Sequence, residues 1–467
     1  MRIVMKFGGT SVGDGVKIRN VAGLAKRYYD EGNEVIVVAS AMTGVTDKLY
    51  EMAQVARDTC SAADVEQHFA ALAGRHEAAI VDAIRDGAIR DEVRAEIEKR
   101  LAELKNALVG VCYLGELTNR SLAYIYSFGE RMCVPVLSAS LRDLGMRSKH
   151  LAGGEAGVIT DSRYESARLD PVTDVRVKEA LLPLLKAGFI PVVTGFVAAD
   201  QKGVITVLGR GGSDYSASII GAAVDADEIW IYTDVNGIMT TDPRLVPGAR
   251  TLPVVTYLEA MEMSYFGAKV LHPKTIEPAV KKGIPVKVLN TFQPEHPGTV
   301  VLMRDTSGNG SPIKAVTMIK NIGLINISGA GLSGTPGVAG RIFSALGRED
   351  VNIIMISQAS SEFNVSLAVD GAQAERAVAA LRAEFSDDVI KDLTCNNNVC
   401  VVAVVGAGMA GNPGIAGRVF TALGRAKINI RMISQGSSEA NISFVVNKDE
   451  ASKAVKVLHD EFELEKL

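Results

Sequence analysis

The chain has 467 residues, room for about three domains, and its balance of 47% apolar to 22% charged residues excludes a disordered protein. Fifty basic and 54 acidic residues give a net charge of −4, which offers no electrostatic footprint for nucleic acid or an anionic membrane surface. Five scattered cysteines without a CxxC pair support neither a zinc ribbon nor a disulfide framework, so a reduced, cytoplasmic protein is expected.

The N-terminus, MRIVMKFGGTSV, is broken by Lys6 and has no signal-peptide pattern; no uncharged apolar run reaches membrane-spanning length. RIVMKF (2–7) reads as a strand running into a glycine turn, 15–31 as a helix, and EVIVVAS (34–40) as a near-continuous apolar strand. Residues 48–109 carry Ala, Glu, Arg and Leu at helical spacing, and another helix is expected over 119–142. GFIPVVTGF (188–196), GVITVLG (203–209), EIWIYTD (228–234) and PVKVLN (285–290) read as buried strands, with helices between several of them. This alternation predicts an α/β domain with a mainly parallel sheet. Residues 291–312, rich in Pro, Gly, Ser and Asn, read as a linker around one strand, TVVLM (299–303).

Beyond 313 the sequence repeats itself. Residues 334–370 and 411–447 align without gaps at an offset of 77, and each unit reads as strand, glycine-rich turn, helix, strand, turn, strand, helix. The first unit continues into DDVIKDLTC (387–395), a fourth strand; the second ends on its helix (450–462). IKAVTMI (313–319) is expected to supply the second unit's missing strand, which would interleave the two.

Three segments carry chemistry. Lys6, followed by Gly8 and Gly9 at a strand end, suits a polyphosphate: glycines let backbone N–H groups approach phosphate oxygens, and the lysine adds a point charge. In LGRGGSDYSA (208–217) three glycines surround Arg210, and Ser213 and Asp214 stand at a helix start. An N-cap alone needs neither the glycines nor the arginine. YTDVNGIMTTDPR (232–244) ends a strand, where a ligand crevice forms in α/β sheets. No GxxxxGK[ST], HExxH or histidine cluster occurs. GAGLSG (329–334) and GAGMAG (406–411) match a dinucleotide fingerprint, but the strands that follow end without the acidic residue such a fold requires.

KFGGTSV (6–12), SAMTGVTD (40–47), FGER (128–131), GRGGSD (209–214), YTDVNGIMTTDPR and GAKVLHP (267–273) together, in this order, resemble the aspartokinases. The repeated units resemble ACT domains, which bind amino acids. The resemblance implies an amino-acid kinase fold with a mainly parallel central sheet over 1–298. A connecting segment over 299–320 and two α+β, ferredoxin-like ACT domains over 321–396 and 397–467 would follow. It implies ATP-dependent phosphorylation of L-aspartate to 4-phospho-L-aspartate, with Mg²⁺ held mainly through the ATP phosphates. Lys6 would lie against the transferring phosphate and Asp214 would organise the charged centre. Gly8, Gly9 and Ser40 would lie in the phosphate and acceptor region. Thr46, Glu130 and Arg210 would hold aspartate, with Ser213 nearby; Thr233, Asp234, Arg244 and Lys269 would contact the nucleotide. Met239 stands where some relatives carry an aromatic residue.

A regulatory amino acid is expected at Gly337, Val338 and Ala339, where a helix starts, and at Asn352, Ile353 and Gln358 on the next strand. VNIIMISQ (351–358) contains no acid to pair with a lysine ammonium, which favours threonine over lysine as the effector. A homodimer or homotetramer through the ACT domains is implied, without nucleic acid or membrane partners. Because the chain stops after the second repeat, a fusion to homoserine dehydrogenase is not expected. The alternatives are an amino-acid sensor with an inactive kinase domain, or a kinase of the same fold acting on another acceptor.

Overall fold

β1 (Arg2–Phe7) is buried along most of its length and pairs in parallel with two other apolar strands, β2 (Glu34–Ala39) and β8 (Glu228–Thr233). The computed structural model describes residues 1–60, 62–267, 271–304, 311–329, 336–358, 364–385 and 390–467. After β1 come α1 (Gly15–Asp30), β2, α2 (Val45–Asp58), α3 (Ala62–Ala83), α4 (Gly87–Leu114) and α5 (Asn119–Asp143). Next are β3 (Ser148–Leu151), β4 (Ile159–Thr160), α6 (Thr173–Lys186), β5 (Ile190–Thr194), β6 (Val197–Asp200), β7 (Ile205–Val207) and α7 (Gly212–Ala223). β8 is followed by β9 (Val254–Thr256), α8 (Tyr257–Tyr265), α9 (Pro273–Lys281), β10 (Val286–Asn290) and β11 (Thr299–Leu302).

The main sheet runs β3-β5-β2-β1-β8-β10-β11-β9. Among the described residues only β11 against β10 is antiparallel in this sheet, so the expected mainly parallel α/β sheet is present. Strands β4, β6 and β7 form a small second sheet. The helical stretch resolves into three helices whose apolar faces, with α1 and α5, bury a single core that includes Ile18, Leu49, Met52, Leu104 and Phe128. No helix among the described residues is long and apolar enough to cross a membrane.

One expectation fails in this stretch. Cys60 and Cys112 are joined by a disulfide across 52 residues. The α2–α3 junction and the last turns of α4 meet in space, and nothing in the local spacing announces that meeting.

The second half continues with β12 (Ala315–Ser328), α10 (Val338–Arg348), β13 (Ile353–Gln358), β14 (Asn364–Asp370), α11 (Ala374–Glu384) and β15 (Asp392–Val405). α12 (Ile415–Arg425), β16 (Ile430–Ser434), β17 (Asn441–Asn447) and α13 (Lys448–Glu461) complete it. Its six strands form one sheet, β13-β14-β12-β15-β17-β16. β12 and β15 are 14 residues each and antiparallel. The start of β12, Ala315–Ile319, pairs with Val401–Val405, while Ile322–Ser328 pairs with β14 and with the start of β15. Between the halves Asn321 takes φ +62, where the register shifts and the strand bends.

By packing, the chain forms two units: Met1–Ile238, Pro253–Tyr257 and Val270–Arg304; and Met239–Leu252, Leu258–Lys269 and Asp305–Leu467. β11 completes the main sheet, and two excursions from the first half belong to the second unit. In the first excursion Thr240 hydrogen-bonds His459 of α13 at 3.0 Å and its carbonyl accepts from Val316 N–H. In the second, the Glu259 carboxylate lies 3.3 Å from Lys314 and accepts from Ala407 N–H.

Candidate active site

Lys6 is the penultimate residue of a central strand and opens onto the carboxyl edge of the sheet, where parallel sheets place their ligands. Its ammonium lies 2.5 Å from Asp214 Oδ1, and both side chains are nearly buried. The contact is an ion pair outside hydrogen-bond geometry: Asp214 Oδ1 has no hydrogen-bond partner.

Asp214 sits in the first turn of α7. That helix starts from Gly211 at φ +72, a left-handed conformation glycine adopts without a Cβ clash, and no side chain caps it. The uncapped turn presents backbone N–H groups and the positive end of the helix dipole. Ser40, just past β2, donates its hydroxyl to Ser213 Oγ at 2.8 Å. A Cβ on Gly195 would stand 2.6 Å from Ser213 Cβ, so only glycine lets the chain after β5 pass.

Glu130 supplies the opposite chemistry. It is 3% exposed on α5. One carboxyl oxygen accepts from Ala41 N–H at 3.1 Å, and the other is buried without a partner. Burial pushes this carboxyl up to about 8. An orphaned oxygen of this kind fits either a proton or a bound cation.

These groups line one cleft of about 390 Å³, together with Gly9, Thr46 and Arg210. Ser40, Ser213, Lys6, Asp214 and Glu130 all face it. Gly8 is not among the lining residues, and its N–H donates to Tyr232 O. Sequence reasoning missed Thr43, whose hydroxyl donates to Gly9 O at 2.8 Å, and Asp47, although both lie in SAMTGVTD. It also missed Phe196, held at φ +64 with its N–H on Ser216 Oγ. The Gly-Phe pair closing the apolar run 188–196 was the available signal. A wider hollow of about 1230 Å³ beside α4, α5 and α6 contains none of the predicted residues.

The nucleotide set is split between the two packing units. Thr233 ends β8, one strand over from Lys6, and donates its hydroxyl to Asp234, the next residue, at 3.2 Å. Beside them Thr291 N–H donates to Thr233 O, and the Thr291 hydroxyl meets that of Ser11 at 2.6 Å. Arg244 belongs to the second unit, is 87% exposed and grips Asp242, holding that carboxyl below its ordinary value. Lys269 lies outside the described residues.

Of the regulatory set, Gly337 is the N-cap of α10 at φ +87, and Val338 and Ala339 open that helix. Asn352 precedes β13 and donates its N–H to Gln373. The Ile353 carbonyl accepts from the Tyr265 hydroxyl. Gln358 lies at the far end of the same strand.

The sequence profile of the Amino acid kinase family matches residues 1–290, and that of the ACT domain matches 325–385 and 402–462. Aspartokinase 2 of Arabidopsis thaliana (chloroplastic) is 33% identical over 98% of this chain and 84% of its own length. The chain belongs to the aspartokinase family. It spans about half the length of bifunctional relatives such as the chloroplastic aspartokinase/homoserine dehydrogenase 1 of Arabidopsis thaliana, which is 34% identical over 99% of this chain and 51% of that one. Escherichia coli aspartokinase III in complex with lysine and aspartate superposes with a TM-score of 0.83 at 28% identity, covering 98% of this chain and 99% of that one. The same enzyme with aspartate and ADP superposes at 0.79 and 28% identity, over 99% of each chain. This aspartokinase therefore has the amino-acid kinase fold followed by two ACT domains.

Proposed function

We propose that the chain transfers the γ-phosphoryl group of ATP to the side-chain carboxylate of L-aspartate, giving 4-phospho-L-aspartate, the first step toward lysine, threonine, methionine and isoleucine. One observation carries the reading. The cleft pairs a cationic end, Lys6 braced by Asp214 below an uncapped helix start, with a buried carboxyl, Glu130, that has one oxygen free.

The nucleophile is the substrate's own carboxylate, ionised at neutral pH, so no general base is needed. The reaction needs alignment and dispersal of phosphate charge. In our assignment Lys6 carries that charge beside Gly8, Gly9 and the first N–H groups of α7. Asp214 fixes the ammonium and keeps it pointed at the phosphate. Arg210 grips the aspartate α-carboxylate, Glu130 takes its ammonium, and Thr46, Ser40 and Ser213 line the acceptor. Thr233 and Asp234 are assigned to the nucleotide. In our assignment Mg²⁺ arrives on the ATP phosphates and neutralises their charge.

The ACT pair makes this an allosterically regulated enzyme, and threonine is the effector we assign. β13 itself carries no carboxylate for a lysine ammonium, and Gly337–Ala339 offers helix-start N–H groups for a carboxylate. A homodimer or homotetramer through the ACT domains, in the cytoplasm, completes the reading. The test is trapping of the acyl phosphate with hydroxylamine in the presence of ATP and Mg²⁺. Aspartate-dependent hydroxamate, suppressed by threonine, is expected. Turnover with another acceptor but not aspartate overturns the substrate; inhibition by lysine without threonine overturns the effector.

A further inference from the structure

Cys60 and Cys112 hold their Cα atoms 5.0 Å apart, within the span of ordinary disulfides. Cys60 is exposed and Cys112 half-buried, so a reagent in solution reaches the bond. The other three cysteines are free, and two of them are buried. The bond is not needed as a folding staple. Met52 and Ala56 of α2 and Leu104, Leu108 and Val111 of α4 already share one buried core, and a chain of this length buries ample apolar surface without covalent help. In a reducing compartment an accessible bond of this kind is made and broken rather than permanent.

Its position gives it something to control. Cys60 forms the junction between α2 and α3 and is held at φ +45, a left-handed conformation rare for a residue with a side chain. The bond ties that junction to the last turns of α4. The opposite end of α2 opens on the cleft: Thr46 and Asp47 occupy its first turn and line the cavity. α2 is a single helix of 14 residues, so pinning one end restrains the other.

We propose that Cys60 and Cys112 form a reversible redox site whose state sets how well the cleft holds its amino-acid substrate. The readout as substrate affinity rests on the aspartate reading above. Closing the bond takes a disulfide oxidant. The two thiols give up two protons and two electrons, one S–S bond forms, and the oxidant's S–S bond is reduced to two thiols. A dithiol reductant reverses this through a mixed disulfide at the exposed Cys60. Closed, the bond holds α2 in place; open, Cys60 relaxes and the first turn of α2 loosens.

The full chain is equilibrated in glutathione buffers from fully reduced to fully oxidised. Free thiols are then counted by maleimide mass tagging after denaturation, linked peptides are mapped, and the aspartate KM is measured in each buffer. We expect the count to fall from five to three, with Cys60 and Cys112 in one linked peptide. The aspartate KM of the reduced protein should be roughly fivefold or more above that of the oxidised protein. C60S and C112S should each keep the reduced value in every buffer. Five free thiols under oxidising conditions overturn the proposal, as does a KM indifferent to the thiol count. Should the cleft take another acceptor, amide hydrogen exchange of residues 45–48 in the two states replaces KM as the readout. Faster exchange on reduction supports the proposal, and equal exchange overturns it.

Discussion

Lys6 and Asp214 carry their charges, and Glu130 its titratable carboxyl, in a wall where none of the three side chains is more than 14% exposed. Arg341–Glu384 and Arg418–Glu461 carry theirs on the surface of the two repeats, with the arginines about half open to water. The surface pairs are copies of one another. Each arginine also donates to the last carbonyl of the following helix and lies over the next phenylalanine, Phe385 or Phe462, at 4.4 and 4.5 Å. Water screens such pairs, so they stabilise little individually and survive as packing. A buried charge that loses its partner has no water to turn to. The cleft therefore depends on each residue and the repeats depend on none, except where they share backbone.

That contrast orders the expected effects. Deleting 313–319 removes the strand that covers one side of Val401–Val405. The second repeat should lose cooperative unfolding, read by circular dichroism and limited proteolysis; an unchanged melting profile would refute the sharing of strands. Next come Lys6→Ala and Asp214→Ala. Each should lower kcat by about a thousandfold or more, and each should also lower Tm, because the partner left behind is a nearly buried charge. A folded variant with near-normal kcat removes that residue from its assigned role.

Glu130→Gln should be gentler, about a hundredfold in aspartate KM, and it carries a pH signature. With the carboxyl pushed up to about 8, the empty cleft holds a proton below that pH. Pairing with an ammonium needs the carboxylate, so the aspartate KM should fall as pH rises from 6 to 8 and level off above. Stability moves the other way. The native carboxyl keeps a proton that the unfolded one releases near its ordinary 4.5, so ligand-free stability declines as pH rises from 4.5 toward 8. The glutamine variant should flatten both slopes; slopes that persist in it assign them to another group. Smallest are Arg341→Ala and Arg418→Ala, each lowering Tm by about 1–3 °C with the aspartate KM unchanged. A large loss in only one would break the equivalence of the repeats.

Much of the cleft was legible in advance because its residues come in short motifs at strand ends. Lys6 with its glycines and the 209–214 loop each carry a local reason to exist, and the fold brings Lys6 against Asp214. The repeats were legible because every element recurs at the same offset: α10 and α12 begin at 338 and 415, β14 and β17 at 364 and 441. What escaped notice depends on contacts distant in sequence. The Cys60–Cys112 bond joins helices whose spacing marks nothing. Thr240 and Glu259 look like ordinary loop and helix residues until His459, Lys314 and Ala407 arrive from the far end of the chain. Phe196 required a backbone angle that no composition rule assigns to phenylalanine.

The two 14-residue strands have an evolutionary corollary. Each serves one repeat with its first half and the other with its second, so the duplicated units are not cassettes. Recombination that carried one away would leave both fragments with a bare sheet edge, a template for aggregation. Swapping regulatory specificity between lineages must then proceed either by point substitution within a repeat or by transfer of the pair whole.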